Sequence, residues 1–391
     1  MIPFEKALNI VISSAQELET EKIAMTHSAG RILAEDIFAD SDMPPFNKSA
    51  VDGFACKKND IGQTLEIIET ISAGKIPEKN IRAGQCSKIM TGAIVPEGAD
   101  CVVMVEFSES KSENKVAFSI KETAGNICYK GEDVKKGMTV IKKGTLITPA
   151  HIAVLASVGC VKPNVYRKPS VAILTTGDEL VEPSELISGA KIRNSNAYQL
   201  LAQVEKCKAK ANYYGIVADI ESVLEKEIEK AFSENDVILL TGGVSMGDFD
   251  FVPEILKKLG FEILFHSIAV QPGKPTLFAK RKNVYCFGLP GNPVSSYIQF
   301  ELLVMPLLLK LTGSNYQPLN IQLPLAQNYS RKRTERLAVV PVNINSESQI
   351  SIAAYHGSAH IHALTDTNAI MFVPVGVSSL KKGELVHVRP L

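Results

Sequence analysis

The sequence predicts an α/β multidomain protein with a doubly wound parallel sheet at its centre. From Val171 onward, unbroken apolar runs such as VAILTTG and DVILLTGG, with NVYCFGLPG as a third, are typical of the buried strands of a parallel sheet. Helical segments alternate with these runs over about 140 residues, which is the pattern of a doubly wound sheet. Short β runs on either side predict a small β domain before this region and a β sandwich or barrel after it.

The remaining elements follow from local patterns. The first forty residues are predicted to be helical, beginning with an amphipathic helix. Between about residue 61 and residue 140, runs such as TLEIIETI, ADCVVMVEF and KVAFSIKE are separated by turns that contain Gly, Pro or Asn, as in a small β domain. The stretch GMTVIKKGTLITPAHIAVLASVG then predicts a strand, a turn and a helix that begins after Pro149. Past Pro318, runs such as RLAVVPVNI and ELVHVRPL alternate in the β manner.

Composition bounds the class of protein. A chain of 391 residues with 45% hydrophobic and 21% charged residues is globular, and two to four domains is the expected number. Lys and Arg together balance Asp and Glu at 42 each, so no nucleic-acid partner and no membrane surface is expected. The run LLVMPLLLKL is broken by Pro306 and Lys310 and is too short to cross a bilayer. Seven scattered cysteines without a CxxC pair indicate reduced thiols, so we expect a cytoplasmic protein without a structural zinc site.

The stretch DVILLTGGVSMGDFDF joins a buried strand directly to a loop of small and acidic residues. Gly242 and Gly243 allow a sharp turn and a close approach of a ligand to the backbone amides. The following FVPEILKKLG predicts a helix whose N-terminus points into this loop and attracts an anion such as phosphate. Asp248 and Asp250 suit a metal that bridges such a phosphate. On this segment alone, an ordinary tight turn with solvated acids is an equal alternative.

Three loops of this region carry small or polar residues, and all three are expected at one edge of the sheet. They are TTGDEL, TGGVSMGDFD and GLPGNPVSS, and the carboxyl ends of parallel strands are where open sheets bind ligands. The last of them opens a helix with Ser295 and Ser296, and QPGKP adds Lys274 as a point charge for phosphate. Together with Asp178 and Glu179, these loops predict a crevice for phosphate and metal.

Other patterns favour ordinary structural roles. His356, His360 and His362 lie close together in sequence, but no carboxylate supports a metal site there, and His360 and His362 are expected to share a face of a strand. The basic run SRKRTER is expected to be a solvated turn, although an anionic substrate is an alternative. No GxSxG elbow, Walker loop or GxGxxG fingerprint is present, so hydrolase, P-loop and dinucleotide-binding functions lose support.

Taken as a set, the motifs resemble those of the molybdopterin molybdenumtransferases, the family that includes the C-terminal domain of gephyrin. The segments PPFNKSAVDGFA, KIMTGAIVPEGADCVV, KGEDVKKG, TTGDEL, TGGVSMGDFDF, QPGKP and GLPGNPVSS occur in the order and spacing of that family along essentially the whole chain. The resemblance implies an enzyme that binds adenylylated molybdopterin and molybdate. It would use Mg²⁺ to insert molybdenum and release AMP. It also implies a homodimer with clefts shared between subunits, and a molybdopterin adenylyltransferase as the source of substrate.

The resemblance further implies four domains. These are an elongated discontinuous domain at 1–44 and 141–169, a small β domain at 45–140, a molybdopterin-binding α/β domain at 170–315 and a C-terminal β-barrel at 316–391. Two alternatives are a non-catalytic gephyrin-like scaffold and a molybdopterin adenylyltransferase. The intact acids argue against the first, and the four-domain length with the segment PPFNKSAVDGFA argues against the second.

Motif by motif, the resemblance assigns functional residues. The catalytic set comprises Asp52, Thr91, Asp133, Glu179, Asp219 and Asp250, of which Glu179 and Asp250 would hold the metal. The substrate-binding set comprises Gly242, Gly243, Ser245, Lys274, Pro290, Gly291, Asn292 and Pro293. The chain departs from the family at four positions, which are Asn47, Lys48, Cys128 and Gln271. At Cys128 and Gln271 the family usually has a positive charge, which this chain lacks.

Overall fold

The computed structural model describes residues 1–243, 251–315, 317–355 and 357–391. The chain begins with helix α1, Phe4–Ser14, which buries Phe4, Ala7 and Val11 at the 3.6-residue spacing of an amphipathic helix. The helix ends where the polar stretch AQELETEK breaks that spacing, and the strands β1 (Thr20–Lys22) and β2 (Ile37–Phe38) follow. The prediction that the first forty residues are helical is therefore wrong beyond Ser14.

The next part of the chain forms a small six-stranded sheet and a separate strand pair. The strands are β3 (Lys48–Ser49), β4 (Gly53–Cys56), β5 (Leu65–Ile71), β6 (Gln85–Ile89), β7 (Cys101–Met104), β8 (Ser108–Ser112), β9 (Lys115–Phe118) and β10 (Ile127–Cys128). The sheet has the order β7-β4-β6-β5-β9-β8, while β3 pairs with β10. Its two faces carry separate apolar clusters, because successive side chains of each strand point to opposite faces.

The chain then returns to its N-terminal segment. Strand β11 (Thr139–Ile141) pairs with β2, and β12 (Asn164–Tyr166) pairs with β1. Between them lies helix α2, Pro149–Ser157, which starts with the predicted proline and a capping box between Thr148 and His151. Leu33, Ile37, Ile141, Leu155 and Val165 share one cluster, so this body is built from two separate stretches of chain.

The α/β region contains the sheet that the sequence predicts. Its strands are β13 (Ser170–Thr176), β14 (Leu180–Val181), β15 (Ile192–Arg193), β16 (Lys210–Val217), β17 (Val237–Thr241), β18 (Glu262–Phe265), β19 (Val270–Gln271), β20 (Leu277–Arg281) and β21 (Val284–Leu289). The main sheet has the order β16-β13-β17-β21-β20-β18. Its first four strands are mutually parallel, and β20 is antiparallel to both of its neighbours, β21 and β18. The part that carries the predicted loops is therefore the parallel part.

Helices cover both faces of this sheet. They are α3 (Ser195–Lys206), α4 (Glu221–Glu234), α5 (Val252–Lys258), α6 (Pro293–Gln299) and α7 (Met305–Leu311). The α1, α3, α6 and α7 side chains pack on one face and those of α4 and α5 on the other, which confirms the doubly wound arrangement. A π-helical turn, Phe300–Val304, links α6 to α7.

The helical stretch Pro293–Leu311 is long and apolar enough to cross a membrane. Among the described residues it is the one helix of this kind, and 72% of its apolar 18-residue core segment is buried inside the protein. Its leucines belong to the main hydrophobic cluster of the α/β region, so its apolar character is explained by packing against the sheet.

The C-terminal region is a small barrel. Its strands are β22 (Ile321–Pro324), β23 (Tyr329–Ser330), β24 (Leu337–Ile344), β25 (Ile350–Ile352), β26 (Ala369–Val373), β27 (Ser379–Leu380) and β28 (Leu385–Pro390). The sheet runs β24-β26-β28-β22, and β25 pairs with β24. A bridge between Leu325 and Ile350 closes the ring from β22 back to β25, so the barrel alternative describes the fold better than the sandwich. Strand β19 of the α/β region adds to β24 and joins the two regions.

Candidate functional site

The four parallel strands end at a common edge, and the loops that follow them form one crevice. We define this crevice by residues 177–179 after β13, Asp219 after β16, residues 242–243 after β17 and residues 290–293 after β21. In the sheet, β13 lies between β16 and β17, and β17 lies beside β21. The four loops are therefore neighbours at the carboxyl ends of the strands, as predicted.

The two glycines after β17 lie against the end of β13. Gly242 has a φ of +92°, and a β-carbon on it would lie 2.1 Å from the carbonyl oxygen of Thr176. Gly243 has a φ of +60°, and its β-carbon would lie 3.1 Å from Cγ2 of Thr176. Only glycine fits this turn without displacing backbone, so the amides of the turn stay uncovered by side chains.

Two carboxylates of the predicted set face this edge. The hydroxyl of Thr176 donates a hydrogen bond to the carboxylate of Asp219, which fixes that carboxylate beside the end of β13. Glu179 is exposed, and a β-carbon on Gly177 would lie 2.6 Å from its Oε2. The Glu179 carboxylate therefore folds back over the Gly177 backbone, at the mouth of the crevice.

Residues between β15 and α3 tie these loops together, and the sequence reasoning missed them. The side-chain amide of Asn194 donates to Oγ1 of Thr175 and to the hydroxyl of Tyr213, both at 2.8 Å. The side-chain amide of Asn196 donates to Oγ1 of Thr241 at 2.9 Å and to the carbonyl oxygen of Gly291 at 2.7 Å. The only sequence signal for them is the pair of asparagines at the start of a helix, which by itself indicates an N-cap.

A second concave feature lies between the α/β region and the barrel, and we call it the interdomain cavity. Its volume is about 450 Å³. Its polar lining residues are Gln271, Lys274, Asn292, Ser295, Tyr329, Arg336, Tyr355 and Ser358. Lys274 and Arg336 give it two positive charges, and no carboxylate lines it in the described part of the chain. Of this lining, the sequence predicted Lys274, Pro290 and Asn292.

Hydrogen-bond donors accompany the two charges of the interdomain cavity. The Asn292 side-chain amide donates to Oγ of Ser358 at 3.0 Å, which joins the 290–293 turn to the barrel. Burial raises the pKa of Tyr355 to about 12, so its phenol stays protonated and able to donate at neutral pH. Oε1 of Gln271 is buried and has no hydrogen-bond partner among the described residues. The Gln271 oxygen can only accept a hydrogen bond, so it is Lys274 and Arg336 that suit the cavity to a small anion.

The other predicted acids lie outside the α/β region, Asp52 at the small β sheet and Asp133 beside Met43 after β10. The Asp52 carboxylate accepts hydrogen bonds from the backbone amide of Thr91 at 2.6 Å and from its hydroxyl at 3.0 Å. These two hydrogen bonds hold the pKa of Asp52 below its usual range, although the carboxylate is exposed. Asp133 is also exposed and is anchored through its backbone amide, which donates to the carbonyl of Met43.

The structure does not bring this second group of acids to the crevice of the same chain. Within the described ranges, no hydrogen bond, ion pair or hydrophobic cluster joins residues 45–140 to residues 170–391. In a single chain, Asp52, Thr91 and Asp133 thus lie apart from Glu179, Asp219 and the glycine turn.

Some predicted residues cannot be located. Ser245, Asp248 and Asp250 lie outside the described residues, as does His356. Among the residues that are described, no group of three or more His, Cys, Asp or Glu side chains could hold a metal ion. His360 precedes a short 3₁₀ turn, Ile361–Leu364, and His362 lies within it, so the expectation that they share a strand face is wrong. The turn forms because the chain reverses between β25 and β26.

Comparison with known proteins covers the chain in three segments. Residues 2–159 match the MoeA N-terminal region (domain I and II), residues 172–310 match the "Probable molybdopterin binding domain", and residues 322–391 match the MoeA C-terminal region (domain IV). These segments include the acids of both bodies and the whole crevice.

Whole-chain relatives give the same result. The molybdopterin molybdenumtransferase of Bacillus subtilis is 36% identical over 401 residues, with 99% of this chain and 93% of the relative covered. That of Staphylococcus epidermidis is 37% identical, with 99% and 95% covered. The crystal structure of the molybdopterin biosynthesis moeA protein from Pyrococcus horikoshii OT3 superposes with a TM-score of 0.87 at 30% identity over all of both chains. The chain therefore belongs to the molybdopterin molybdenumtransferase family.

Proposed function

We propose that this protein is a molybdopterin molybdenumtransferase, which transfers molybdenum from molybdate into adenylylated molybdopterin and releases AMP. The observation that carries the proposal is the crevice, where a half-buried glycine turn and two carboxylates lie at the carboxyl ends of four parallel strands. A phosphate-linked substrate needs backbone donors for its phosphates and acids for the accompanying cation, and the crevice offers both.

The interdomain cavity supports molybdate as the second substrate. Molybdate is a small dianion, and the cavity presents Lys274, Arg336 and several hydroxyl groups without an opposing carboxylate. Pro290 and Asn292 line the cavity. Gly291, between them, lies on the crevice side, where a β-carbon on it would be 3.9 Å from Cα of Gly242. One turn therefore separates the two binding sites, so an oxyanion held by Lys274 would wait next to the pterin phosphate.

This geometry refines the expected role of Lys274. The sequence favours it as a contact of the pterin phosphate, whereas its place in the wall of the interdomain cavity also suits molybdate. Gln271 lines the same cavity with a neutral side chain. The positive charge that the family usually has there is missing, so Lys274 and Arg336 are the cations that this cavity retains.

We further propose Mg²⁺ as the metal of the crevice, and the donor set fits it. Glu179 is an exposed carboxylate, and Asp219 is a carboxylate fixed by Thr176, so both offer the hard oxygen ligands that Mg²⁺ prefers. Glu179 would hold the ion together with Asp250. When bound, Mg²⁺ neutralises phosphate charge on the substrate. The chain itself would orient the phosphates with the amides of Gly242 and Gly243.

The remaining parts of the proposal concern assembly. A homodimer with shared clefts would bring Asp52, Thr91 and Asp133 of one subunit to the crevice of the other, which is consistent with their separation in a single chain. A molybdopterin adenylyltransferase would deliver the substrate, and the cytoplasm is the proposed location. The four domains would be 1–44 with 141–169, 45–140, 170–315 and 316–391.

The alternatives have less support. The family match extends over 99% of the chain, whereas an adenylyltransferase function would call on the α/β region alone. A non-catalytic scaffold would not need Glu179, Asp219, Asp52 and Asp133, all of which are present.

The test is an AMP-release assay with adenylylated molybdopterin, Mg²⁺ and molybdate. We expect molybdate-dependent AMP release by the wild type and a loss of about tenfold or more in the variant Glu179→Gln, which keeps size but removes charge. Glu185→Gln, a nearby exposed carboxylate outside the crevice, is the matched control and should retain activity. Wild-type protein that releases no AMP would refute the function, and an active Glu179→Gln enzyme at low Mg²⁺ would refute the metal assignment.

A further inference from the structure

The segment 191–196 lies beside the crevice and contacts the loop after β13, the turn after β21 and the last residue of β17. Its first residue, Lys191, donates through its ammonium group to the carbonyl of Asp178. The backbone amide of Ile192 donates to the carbonyl of Glu179 at 2.8 Å, and that of Asn194 donates to the carbonyl of Val181 at 2.9 Å. Strands β14 and β15 pair in parallel here, so the Glu179 loop is held along its length by this segment.

The two asparagines of this segment reach the other strands. Asn194 is 1% exposed and Asn196 is 9% exposed, so both are buried amides whose donors must be satisfied inside the protein. Asn194 donates to β13 and β16 through Thr175 and Tyr213. Asn196 donates to Thr241, the last residue of β17, and to Gly291 in the turn after β21.

Asn196 has the more specific place of the two. Thr241 immediately precedes the glycine turn 242–243, and Gly291 is the centre of the turn that separates the crevice from the interdomain cavity. One side-chain amide uses both of its N–H groups to fix these two turns relative to each other. The parallel ladder pairs Thr241 with Leu289 at the ends of β17 and β21, and beyond that ladder the Asn196 amide adds a direct link between Thr241 and Gly291.

We infer that Asn196 is a positioning residue for the reaction, which sets the distance between the glycine turn that binds the pterin phosphate and the 290–293 turn that borders the molybdate cavity. This inference rests on the proposed function for the identity of the ligands, but the positioning of the turns is a property of the protein without ligand. In this role Asn196 acts through the hydroxyl of Thr241 and the carbonyl oxygen of Gly291, and not through the substrate.

The chain contains a matched control at the opposite edge of the same sheet. The side-chain amide of Asn212 also donates two hydrogen bonds, to Oγ of Ser170 at 2.8 Å and to Oδ1 of Asn235 at 2.6 Å. Ser170 starts β13, and Asn235 precedes β17, so Asn212 links the amino ends of the strands whose carboxyl ends form the crevice. A purely structural role would make Asn196 and Asn212 equivalent.

The experiment compares Asn196→Ala and Asn212→Ala with the wild type in two measurements. Hydrogen exchange of the ligand-free proteins should show amide exchange in residues 242–243 and 291–292 accelerated about tenfold in Asn196→Ala and unchanged in Asn212→Ala. Steady-state kinetics should show KM for adenylylated molybdopterin raised about tenfold by Asn196→Ala with a smaller change in kcat, and no such change in Asn212→Ala.

If Asn196→Ala does not fold, Asn196→Asp replaces it, because the carboxylate keeps the size of the amide but donates neither hydrogen bond. Unchanged exchange in both turns, or equal acceleration in the Asn196 and Asn212 variants, would overturn the inference whatever the enzyme does. If Asn196→Ala accelerates exchange in both turns but the wild-type protein releases no AMP, the positioning role is supported and the proposed function is refuted.

Discussion

At the scale of single residues, Asp52 shows how local hydrogen bonds hold an exposed carboxylate in place. The Asp52 side chain lies in water, yet it accepts two hydrogen bonds from Thr91, and these lower its pKa from the usual 3.8. A carboxyl group whose pKa is lower in the folded state stabilises the fold above its unfolded pKa. That contribution is lost as the pH falls through the folded pKa.

The variant Thr91→Ala removes the hydroxyl donor and keeps the backbone donor. We therefore expect the pKa of Asp52 to rise part of the way toward 3.8 in this variant. Carbon-detected NMR titration of the Asp52 carboxyl measures it directly. Thr91→Ser retains both donors and is the control. Identical Asp52 pKa values in the wild type and Thr91→Ala would show that the hydroxyl has no part in holding the carboxylate.

Lys274 makes a second prediction at this scale. If it binds an oxyanion in the interdomain cavity, Lys274→Ala should weaken molybdate binding by about 1.5–3 kcal/mol, the contribution of a charge-assisted hydrogen bond. Isothermal titration of molybdate into the ligand-free protein measures this. Lys332→Ala removes an exposed lysine of the barrel that does not line the cavity and should bind molybdate normally. Equal affinity in both variants would move the oxyanion elsewhere.

Residues in short motifs directly after strands could be predicted from the sequence, whereas residues placed by contacts with distant segments could not. Gly242, Glu179 and Asn292 were predictable because each stands within a short motif directly after a strand, and the chain direction of a parallel sheet brings such motifs together. Arg336 lies in the basic run SRKRTER, for which an anionic substrate is the alternative to the expected solvated turn. Tyr355 in the barrel and Asn196 at a helix start had no comparable signal. Their roles depend on which distant backbone they contact, and no local pattern encodes that.

At the scale of elements, the glycine turn after β17 is constrained by its neighbour β13. A β-carbon at position 242 would meet the Thr176 carbonyl at 2.1 Å, in addition to the cost of a positive φ. Gly215 in β16 has a similar φ of +85°, but a β-carbon there would meet no atom within 4 Å. A side chain at position 215 would therefore meet only the conformational cost of a positive φ, whereas one at position 242 would also collide with the Thr176 backbone.

We expect Gly215→Ala to lower the free energy of unfolding by about 1–2 kcal/mol, the cost of a left-handed conformation for an L-residue. Gly242→Ala should lower it further, because the Thr176 backbone must also move, and should weaken the Thr176–Asp219 hydrogen bond. Urea unfolding of both variants measures the difference. Equal free energies of unfolding would mean that the turn tolerates the collision by a shift that the structure does not show.

The helical stretch from α6 to α7 carries a buried acid in its π-helical turn. Glu301 is 4% exposed and accepts a hydrogen bond from Nε2 of Gln203 at 2.8 Å. Burial raises the pKa of Glu301, and this effect outweighs the hydrogen bond from Gln203 and the charges of Lys206 and Arg389, which act in the opposite direction. A carboxyl group with a raised folded pKa stabilises the fold below its unfolded pKa, and this contribution is lost as the pH rises through the folded pKa.

Glu301→Gln should therefore gain stability relative to the wild type as the pH rises above the unfolded pKa of 4.5. The amide keeps an acceptor for Gln203 but carries no charge. Free energies of unfolding in urea at pH 5 and pH 8 test this, with Glu205→Gln, an exposed position on α3, as the control. A difference between wild type and Glu301→Gln that is the same at both pH values would show that Glu301 does not titrate with a raised pKa.

At the scale of the whole molecule, the chain consists of bodies that its topology keeps apart. The discontinuous body is tied to itself by the pairings of β1 with β12 and β2 with β11, and the barrel is tied to the α/β region by β19. The fold classes of the small β sheet, the α/β region and the C-terminal region were predictable from periodicity and turn residues, whereas the first forty residues were wrongly predicted to be helical. The closure of the barrel and the discontinuous body were not predictable from periodicity alone, because both depend on pairing between segments far apart in sequence.

The separation of the acids is the central structural fact for function. Asp52 and Thr91 lie in the small β sheet, and Glu179 lies in the crevice of the α/β region, without a joining contact among the described residues. If all of them serve one reaction, the cleft must be completed by a second copy of the chain. A dimer in which both subunits carry Asp52→Ala should then be inactive, and so should a dimer in which both carry Glu179→Ala.

The most direct measurement is AMP release by mixed dimers of Asp52→Ala and Glu179→Ala, purified through two different tags after co-expression. In a shared cleft, one of the two sites of the mixed dimer carries both substitutions and the other carries neither. The account predicts that the mixed dimer recovers up to about half of the wild-type activity per dimer. Mixed dimers that form and release no AMP would show that both residues serve the cleft of their own subunit, and would contradict the account.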